Sequence, residues 1–432
     1  MIKTKTVPRF ASILLASCIA LGVSTPVNAA EKITVWSWDV AAEALMNAAT
    51  SYNAQQTDVT VAALDKGYSP VYDQLTAGCA AGGINLPDVV SIENGEAERY
   101  LQQFPDCFVD LKQFGVEKIR DKFPVYKWVE LESEGGIYGV PWDSGQVVTF
   151  YRRDILKDAG IDPAQLATWD GYIAAGKQLL KATDGKVKMA VTNYTQGLNW
   201  FGPMAQQNDC SIFAQEGDQT VIRINQPGCV QALDKLKQIT DSGIIMPGGW
   251  DDHLKALKTS TAATSIYGAW FEGSLRGALP EQKGQWGIVK MPAHQAGGIR
   301  AANLGGSSLF IPITAKNPAA AYKFIEYAMA NQSAQIEMLK SSGLVPSLLS
   351  ATKDKYISSG QPYWGDQAIW KLILETTDQI KAIKTTRYGA EATDIVIAIQ
   401  SAFIEGKYAN AQEALDKAAK QIKNATGLPM QK

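Results

Sequence analysis

The residues best equipped for chemistry in this chain are tryptophans set beside acids and amides. There are 11 tryptophans in 432 residues, and five of them fall in turn-like settings: Trp38-Asp39, Trp142-Asp143, Asn199-Trp200, Trp250-Asp251 and Trp270-Phe271-Glu272. An indole presents a flat apolar face, while neighbouring carboxylates and amides accept and donate hydrogen bonds in a plane. A sugar ring has apolar C–H faces and a belt of hydroxyls, so it needs both at once. Trp36, Trp128, Trp169 and Trp286 are read instead as core aromatics.

Other chemistries fit less well. Gly171 to Gly176 followed by Lys177 approximates a phosphate loop, but Gln178 stands where Ser or Thr is needed and the segment reads as helix interior. Asp251-Asp252-His253 reads as a solvated loop, because three adjacent side chains cannot all face one ion. With only His253 and His294 in the chain, a His-rich metal site or a set of histidine catalysts is not expected, and no cofactor is implied. Glu93, Glu96, Asp143 and Glu272 supply enough acids for the carboxylate pair of a glycosidase, a reading that stays open because the sequence does not give their separation. The net charge is −2, with no run of Lys and Arg, which argues against a nucleic-acid partner. Apolar residues at 46% and charged residues at 19% describe a globular chain.

The elements that must position the tryptophan loops alternate in type. Ile33 to Trp36 reads as a strand, followed by a helix with Leu45, Met46, Ala49 and Tyr52 on one face, a strand at Val59 to Leu64, a helix at Val71 to Ala81 and a strand at Leu86 to Val90. A second series starts at Gly139 and runs through Val147 to Tyr151, after which Thr168 caps a helix. Asn317-Pro318 opens a helix carrying Ala321, Phe324, Ile325 and Ala328, and Gly343 ends the helical region that follows. Asn410 with Glu413 caps the last helix, striped by Ala414, Leu415, Ala418 and Ile422. This rhythm predicts an α/β fold with largely parallel sheets covered by helices, and ligands beyond the carboxyl ends of the strands, at Trp38-Asp39 and Glu93-Asn94.

Residues 1–30 have a basic start, an apolar stretch and small residues before Ala29 and Ala30, the layout of an export signal, so the mature chain is expected in the periplasm. Leu15-Ala16-Ser17-Cys18 offers the alternative of a lipid anchor through Cys18. Export leaves Cys79, Cys107, Cys210 and Cys229 in an oxidising compartment. Three pairings are possible, and proximity favours Cys79 with Cys107 and Cys210 with Cys229.

Several segments in this order resemble the bacterial extracellular solute-binding proteins of family 1, the maltose-binding-like receptors of sugar ABC transporters. They include Ile33-Thr34-Val35-Trp36, Leu86-Pro87-Asp88-Val89-Val90, the run from Gly136 to Asp143, Tyr151-Arg152-Arg153-Asp154, Thr168-Trp169-Asp170, Gly268-Ala269-Trp270, Trp286-Gly287-Ile288, Pro312 to Phe324, Gly343 to Ser347 and the closing Ala411 to Ile422 helix. Tyr151-Arg152-Arg153-Asp154 departs from the family's Tyr-Asn-Lys-Asp, and the Asp-Ser-Gly after Pro141-Trp142 resembles receptors for lactose and related galactosides.

The resemblance implies a periplasmic-binding-protein-like (type II) fold: two α/β lobes joined by a multi-strand hinge, closing on a ligand by a hinge motion. The expected boundaries are 31–143 and 296–343 for lobe 1, 144–295 for lobe 2, and C-terminal helices over 344–432 placed mainly on lobe 2. The chain crosses near Asp143 to Thr149, Ala293 to Asn303 and Gly343 to Ser347. Trp270 becomes the stacking residue of lobe 2, with Trp200, Trp250 and Glu272 near it. Trp38, Asp39, Glu93, Asn94, Trp142 and Asp143 face the cleft, Gly305 and Gly306 admit backbone amides, and Arg387 reaches in from the C-terminal region. The implied protein is a monomeric, non-catalytic receptor whose partners are a sugar or oligosaccharide and the permease subunits of an ABC transporter; the alternative is a receptor of the same fold for a non-sugar solute such as a polyamine, amino acid or phosphate ester.

Overall fold

Alternate burial of Ile33, Val35 and Ser37 makes Glu31–Ser37 a strand, β1, with one face on the core. It leads through Trp38 into α1 (Asp39–Asn53), whose buried face carries Ala41, Ala44, Leu45, Ala48 and Ala49. Met46 is exposed, so it stands off the face expected for it. The chain continues as β2 (Val59–Asp65), α2 (Tyr68–Ala80), β3 (Val89–Glu93) and α3 (Asn94–Gln103). Helix α2 begins before the expected Val71 because Pro70 falls in the first turn, where its missing N–H is not needed. Strand β3 begins later than expected, because the Asp88 carboxylate accepts the Thr34 N–H (2.8 Å) and Lys316 N–H (3.1 Å).

The computed structural model describes residues 1–2, 31–217, 219–381, 383 and 386–431. The expected export signal and the lipid-anchor residue Cys18 lie outside the described residues.

Further strands and helices follow: β4 (Gly139–Pro141), β5 (Val147–Arg152), α4 (Trp169–Ala182), β6 (Ala190–Thr192), α5 (Phe201–Gln207), α6 (Pro227–Asp241), β7 (Ile245–Pro247), α7 (Trp250–Lys258), β8 (Thr264–Gly268), α8 (Phe271–Ala278), β9 (Trp286–Lys290) and β10 (Ser307–Phe310). The chain closes with α9 (Pro318–Ala330), α10 (Gln332–Ser342), α11 (Ile369–Leu374), α12 (Gly389–Ile404) and α13 (Ala411–Thr426). Thr168, Asn317 and Asn410 cap α4, α9 and α13 through their side chains, and Gly343 ends α10 in the left-handed conformation.

Two lobes result. Lobe 1 is built on a sheet ordered β2-β1-β3-β10-β4, in which β1, β2 and β3 are parallel and β10 runs antiparallel to both neighbours. In lobe 2 the order β8-β5-β9 is antiparallel throughout, while β6 and β7 pair in parallel and reach β8 through a bridge from Lys188 to Ala262. The expected largely parallel sheets are therefore mixed. The reason is topological: β10 returns from lobe 2 and β5 leaves lobe 1 as crossing strands, so neither follows a strand–helix–strand unit. Helices α12 and α13 pack with α4 and α6 in the core on one face of the lobe 2 sheet, whereas Trp364 and α11 pack on its other face, with Trp364 5.5 Å from Phe150.

Three segments run side by side between the lobes. Leu304 N–H donates to Gly145 C=O (2.8 Å) and Val147 N–H to Ala302 C=O (2.9 Å). On the other edge Ser144 N–H donates to Val345 C=O (2.9 Å) and Ser347 N–H to Trp142 C=O (3.0 Å). Disulfides join Cys79 to Cys107 and Cys210 to Cys229, each within one lobe.

Candidate functional site

The carboxyl ends of β1, β2 and β3 build the lobe 1 side of the cleft. Trp38 caps α1 at the end of β1, and Tyr68 and Tyr72 stand one helical turn apart at the start of α2. The Trp38 ring meets Tyr68 edge-on at 5.3 Å and lies 5.6 Å from Tyr72, and the two tyrosines are 4.9 Å apart. Tyr68 Oη donates to Glu93 Oε2 (3.0 Å), and Glu93 N–H donates to Tyr72 Oη (2.9 Å). Burial pushes the Glu93 carboxyl up to about 7, and the charges of Glu96 and Asp143 push the same way against the Tyr68 hydrogen bond. Near neutral pH this one group both donates and accepts. Asp39 is exposed at φ 45°, a left-handed position tolerated by Asp, and its acid stands in the first turn of α1 where the helix dipole favours it. Desolvation and the Asp65 charge raise its carboxyl.

An aromatic group from lobe 2 faces this wall. Tyr267 ends β8, Trp270 caps α8 and Trp250 opens α7. Trp270 lies nearly parallel to Trp250 at 6.1 Å and edge-on to Tyr267 at 5.2 Å. Its Nε1–H donates to Leu304 C=O (2.9 Å), which fixes the indole against the second crossing segment. Gly305, at φ 81°, is required there, since a Cβ would stand 2.8 Å from that same Nε1. Asn199 Nδ2–H donates to Tyr267 Oη (3.2 Å). The Tyr267 phenol is pushed up to about 12, by burial first and by the Glu93 charge second, so the two walls share an electrostatic field across the cleft.

Three expected site residues, Asp143, Gly306 and Asn94, hold the frame. Asp143 is buried, accepting Ser307 N–H at Oδ1 (2.7 Å), while its carbonyl takes the ammonium of buried Lys127 (2.5 Å). Burial raises the Asp143 carboxyl and lowers the Lys127 ammonium, and each charge partly restores the other. Gly306, at φ 92°, makes room for this contact, because a Cβ would come within 2.8 Å of Asp143 C=O. Asn94 is buried too, accepting from Ser308 Oγ (3.0 Å) and donating its N–H to Gly306 C=O (3.0 Å). Its side chain also hydrogen-bonds Glu130, whose carboxyl burial pushes up to about 7.

Four other expected residues do not line the cleft. Trp142 is 1% exposed in the lobe 1 core. Trp200 is 3% exposed and packs on Trp169 (5.7 Å) and Tyr172 (5.9 Å). Glu272 accepts from Trp364 Nε1 (2.9 Å) and pairs with Arg276 (3.0 Å), which reaches Ser341 C=O at the end of α10. Arg387 is exposed and turns its guanidinium to Tyr388 Oη (2.7 Å), while its N–H donates to Gln102 on α3 (2.6 Å). The expected solvated loop at Asp251-Asp252-His253 is instead the first turn of α7, with His253 buried. Sequence reasoning missed Tyr68 and Tyr267, and singled out Asn199 only as the neighbour of Trp200. Tyr68 had a usable signal, because it follows the carboxyl end of β2 just as Trp38 follows β1.

Residues 47–362 match the family model described as bacterial extracellular solute-binding protein. The chain belongs to that family. Among this solute-binding protein's relatives, the lactose-binding protein of Rhizobium radiobacter is 30% identical over 396 residues, spanning 90% of the chain and 91% of the relative. The arabinooligosaccharide-binding protein of Bacillus subtilis (strain 168) is 26% identical over 366 residues, spanning 82% and 83%. The fold is that of the ABC transporter associated binding protein from B. animalis subsp. lactis Bl-04 in complex with beta-1,6-galactobiose, at a TM-score of 0.79 and 22% identity, covering 93% of this chain and all of that one. Trp38, Tyr68 and Glu93 gather at strand ends on one lobe, and Tyr267, Trp270 and Asn199 gather on the other.

Proposed function

We propose that the protein is an exported receptor that captures a sugar or oligosaccharide between its lobes and presents it, chemically unchanged, to the permease of an ABC transporter. The observation that carries this reading is the facing of Glu93 and Tyr68 on lobe 1 toward Tyr267 and Trp270 on lobe 2. Indole and phenol faces take the C–H face of a sugar, and the carboxyl and hydroxyl groups take its rim. The lactose-binding and arabinooligosaccharide-binding relatives support the ligand class. The acids Asp39 and Glu93 disfavour an anionic solute such as a phosphate ester.

Capture without cleavage is supported by the state of the three acids that the sequence offers as catalytic partners for Glu93. Glu272 is bound to Arg276 and Trp364, Asp143 is buried on Ser307 N–H, and Glu96 is paired with Arg99 at 2.6 Å, so none is poised beside Glu93 as the second carboxylate of a glycosidase. The three crossing segments at 142–147, 302–307 and 343–347 are the hinge, and lobe 1 comprises the strands β1 to β4 and β10. The protein acts as a monomer in the periplasm, free or held by a lipid on Cys18. A thermal-shift screen tests the reading, because a ligand of the native state raises apparent stability. Galactosides, arabino-oligosaccharides and malto-oligosaccharides form the panel, with sn-glycerol 3-phosphate and spermidine as charged controls. A shift from a sugar is expected. Shifts from the charged controls alone would refute the sugar reading.

A further inference from the structure

Beside Leu304, whose carbonyl accepts the Trp270 Nε1–H, lies a cavity of about 280 Å³. Asn199 and Leu304 line this cavity and also bond Tyr267 and Trp270, so it adjoins the site. Gly95 at the start of α3 closes it from lobe 1, and the α5 and α12 helices close it from lobe 2. The Cys210–Cys229 disulfide holds the wall at 210–213 against α6.

The lining is apolar, with Leu198, Phe201, Ile212, Phe213 and Ile383 prominent. Three of its polar side chains already bond to the protein. Asn303 Oδ1 accepts Gly145 N–H (3.0 Å) and its Nδ2–H donates to Gly305 C=O (2.8 Å). Asn199 donates to Tyr267, and Ser211 Oγ donates to Phe213 C=O (2.6 Å). Thr393 is the one further polar side chain among the described lining residues, so a further sugar unit placed here would leave most of its hydroxyls without partners, at about 1 to 3 kcal/mol per group. An apolar group would lose nothing. A cavity of about 150 Å³ lined by apolar side chains already accepts benzene, so this one has room for an aryl ring or a short alkyl chain.

We infer that the ligand is a glycoside whose sugar sits between Glu93 and Trp270 and whose apolar aglycone, an aryl or short alkyl group, fills this bay. The inference rests on the sugar-binding reading. Gly202 provides the means to test it: it lies in the first turn of α5, lines the bay, and a Cβ added there would meet only the Leu198 Cβ, at 3.9 Å. Gly202→Ala and Gly202→Leu therefore fill the bay in two steps without touching the sugar contacts.

The probes are the methyl and phenyl glycosides, in both anomers, of the panel sugar giving the largest thermal shift, titrated into the wild type and both variants by calorimetry. Each buried methylene contributes about fourfold in affinity, so the phenyl glycoside of one anomer is expected to bind about tenfold or more tighter than its methyl counterpart. Gly202→Ala should reduce that ratio and Gly202→Leu should abolish it, with methyl glycoside affinity unchanged in both. Equal affinities for methyl and phenyl glycosides in the wild type would overturn the inference while leaving the sugar reading standing. A phenyl advantage that survives in a folded Gly202→Leu protein would overturn it as well, since the ring would then sit elsewhere. Failure of every sugar and glycoside to bind would bring down both readings together.

Discussion

Trp270 is the residue on which the proposed sugar contact depends most, and replacing it by alanine gives a magnitude that can be worked from its surroundings. A wholly enclosed aromatic buries about 150 to 250 Å². Trp270 already commits one edge to Leu304 and other parts of its surface to Tyr267 and Trp250, leaving roughly a third of that area, ~70 Å², for a ligand. At about 25 cal/mol per Å² the indole side gives ~1.7 kcal/mol, and the sugar face it covers adds a smaller amount, for about 2 to 3 kcal/mol in all. Trp270→Ala should then weaken binding about 30- to 160-fold. Trp270→Phe keeps a flat ring but loses the hydrogen bond to Leu304, so it should cost only about 1 kcal/mol, near fivefold. Titration calorimetry with the sugar giving the largest thermal shift measures both, and unfolding curves check that the variants fold. A folded Trp270→Ala protein binding within about threefold of wild type would refute the stacking role and the area argument with it.

Burial lifts the Glu93 carboxyl from its ordinary 4.5 to about 7, so the folded state holds that proton more tightly than the unfolded chain. Stability should therefore fall as pH rises from about 4.5 to about 7 and level off above, and Glu93→Gln should remove part of that fall; melting curves from pH 4 to 8 with identical slopes for the two proteins would contradict it. The disulfides close spans of 28 and 19 residues, so Cys79→Ser with Cys107→Ser, and Cys210→Ser with Cys229→Ser, should each lower stability by about 3 to 4 kcal/mol in denaturant unfolding. Trp200→Ala should cost about 3 to 5 kcal/mol of stability, measured the same way, with sugar affinity in the surviving folded protein little changed, because Trp200 packs inside lobe 2.

Elements whose ends carry capping chemistry could be read from the sequence. Thr168, Asn317, Asn410 and Gly343 all occupy the helix-end positions that their side chains or conformational freedom suit. Short buried strands were legible as apolar runs, but their direction was not. An apolar run at Val147 to Tyr151 looks the same whether its neighbours run parallel or antiparallel, and only the crossing topology decides.

The site was half legible for a related reason. A tryptophan beside an acid marks the end of an element, and element ends face either a cleft or a neighbouring core. Trp250 is exposed and Trp270 half-buried, whereas Trp142 and Trp200 are buried, as is Trp38 against Tyr68 and Tyr72, and nothing in their immediate neighbours separates the two groups. Asn94, Asp143 and Glu272 carry chemistry suited to a sugar, but tertiary partners far along the chain, Ser308, Ser307 and Trp364, occupy their hydrogen-bonding atoms. Tyr267 escaped notice because a tyrosine inside a strand pattern reads as a packing residue until its hydrogen-bond partner Asn199 and the charge of Glu93 are placed near it.

Equilibrium dialysis of the wild-type protein against the best sugar of the panel, followed by mass spectrometry of the recovered ligand, tests capture most directly. One intact sugar molecule retained per chain is the result this account predicts. No retained sugar, or a ligand recovered as cleavage products, would contradict it.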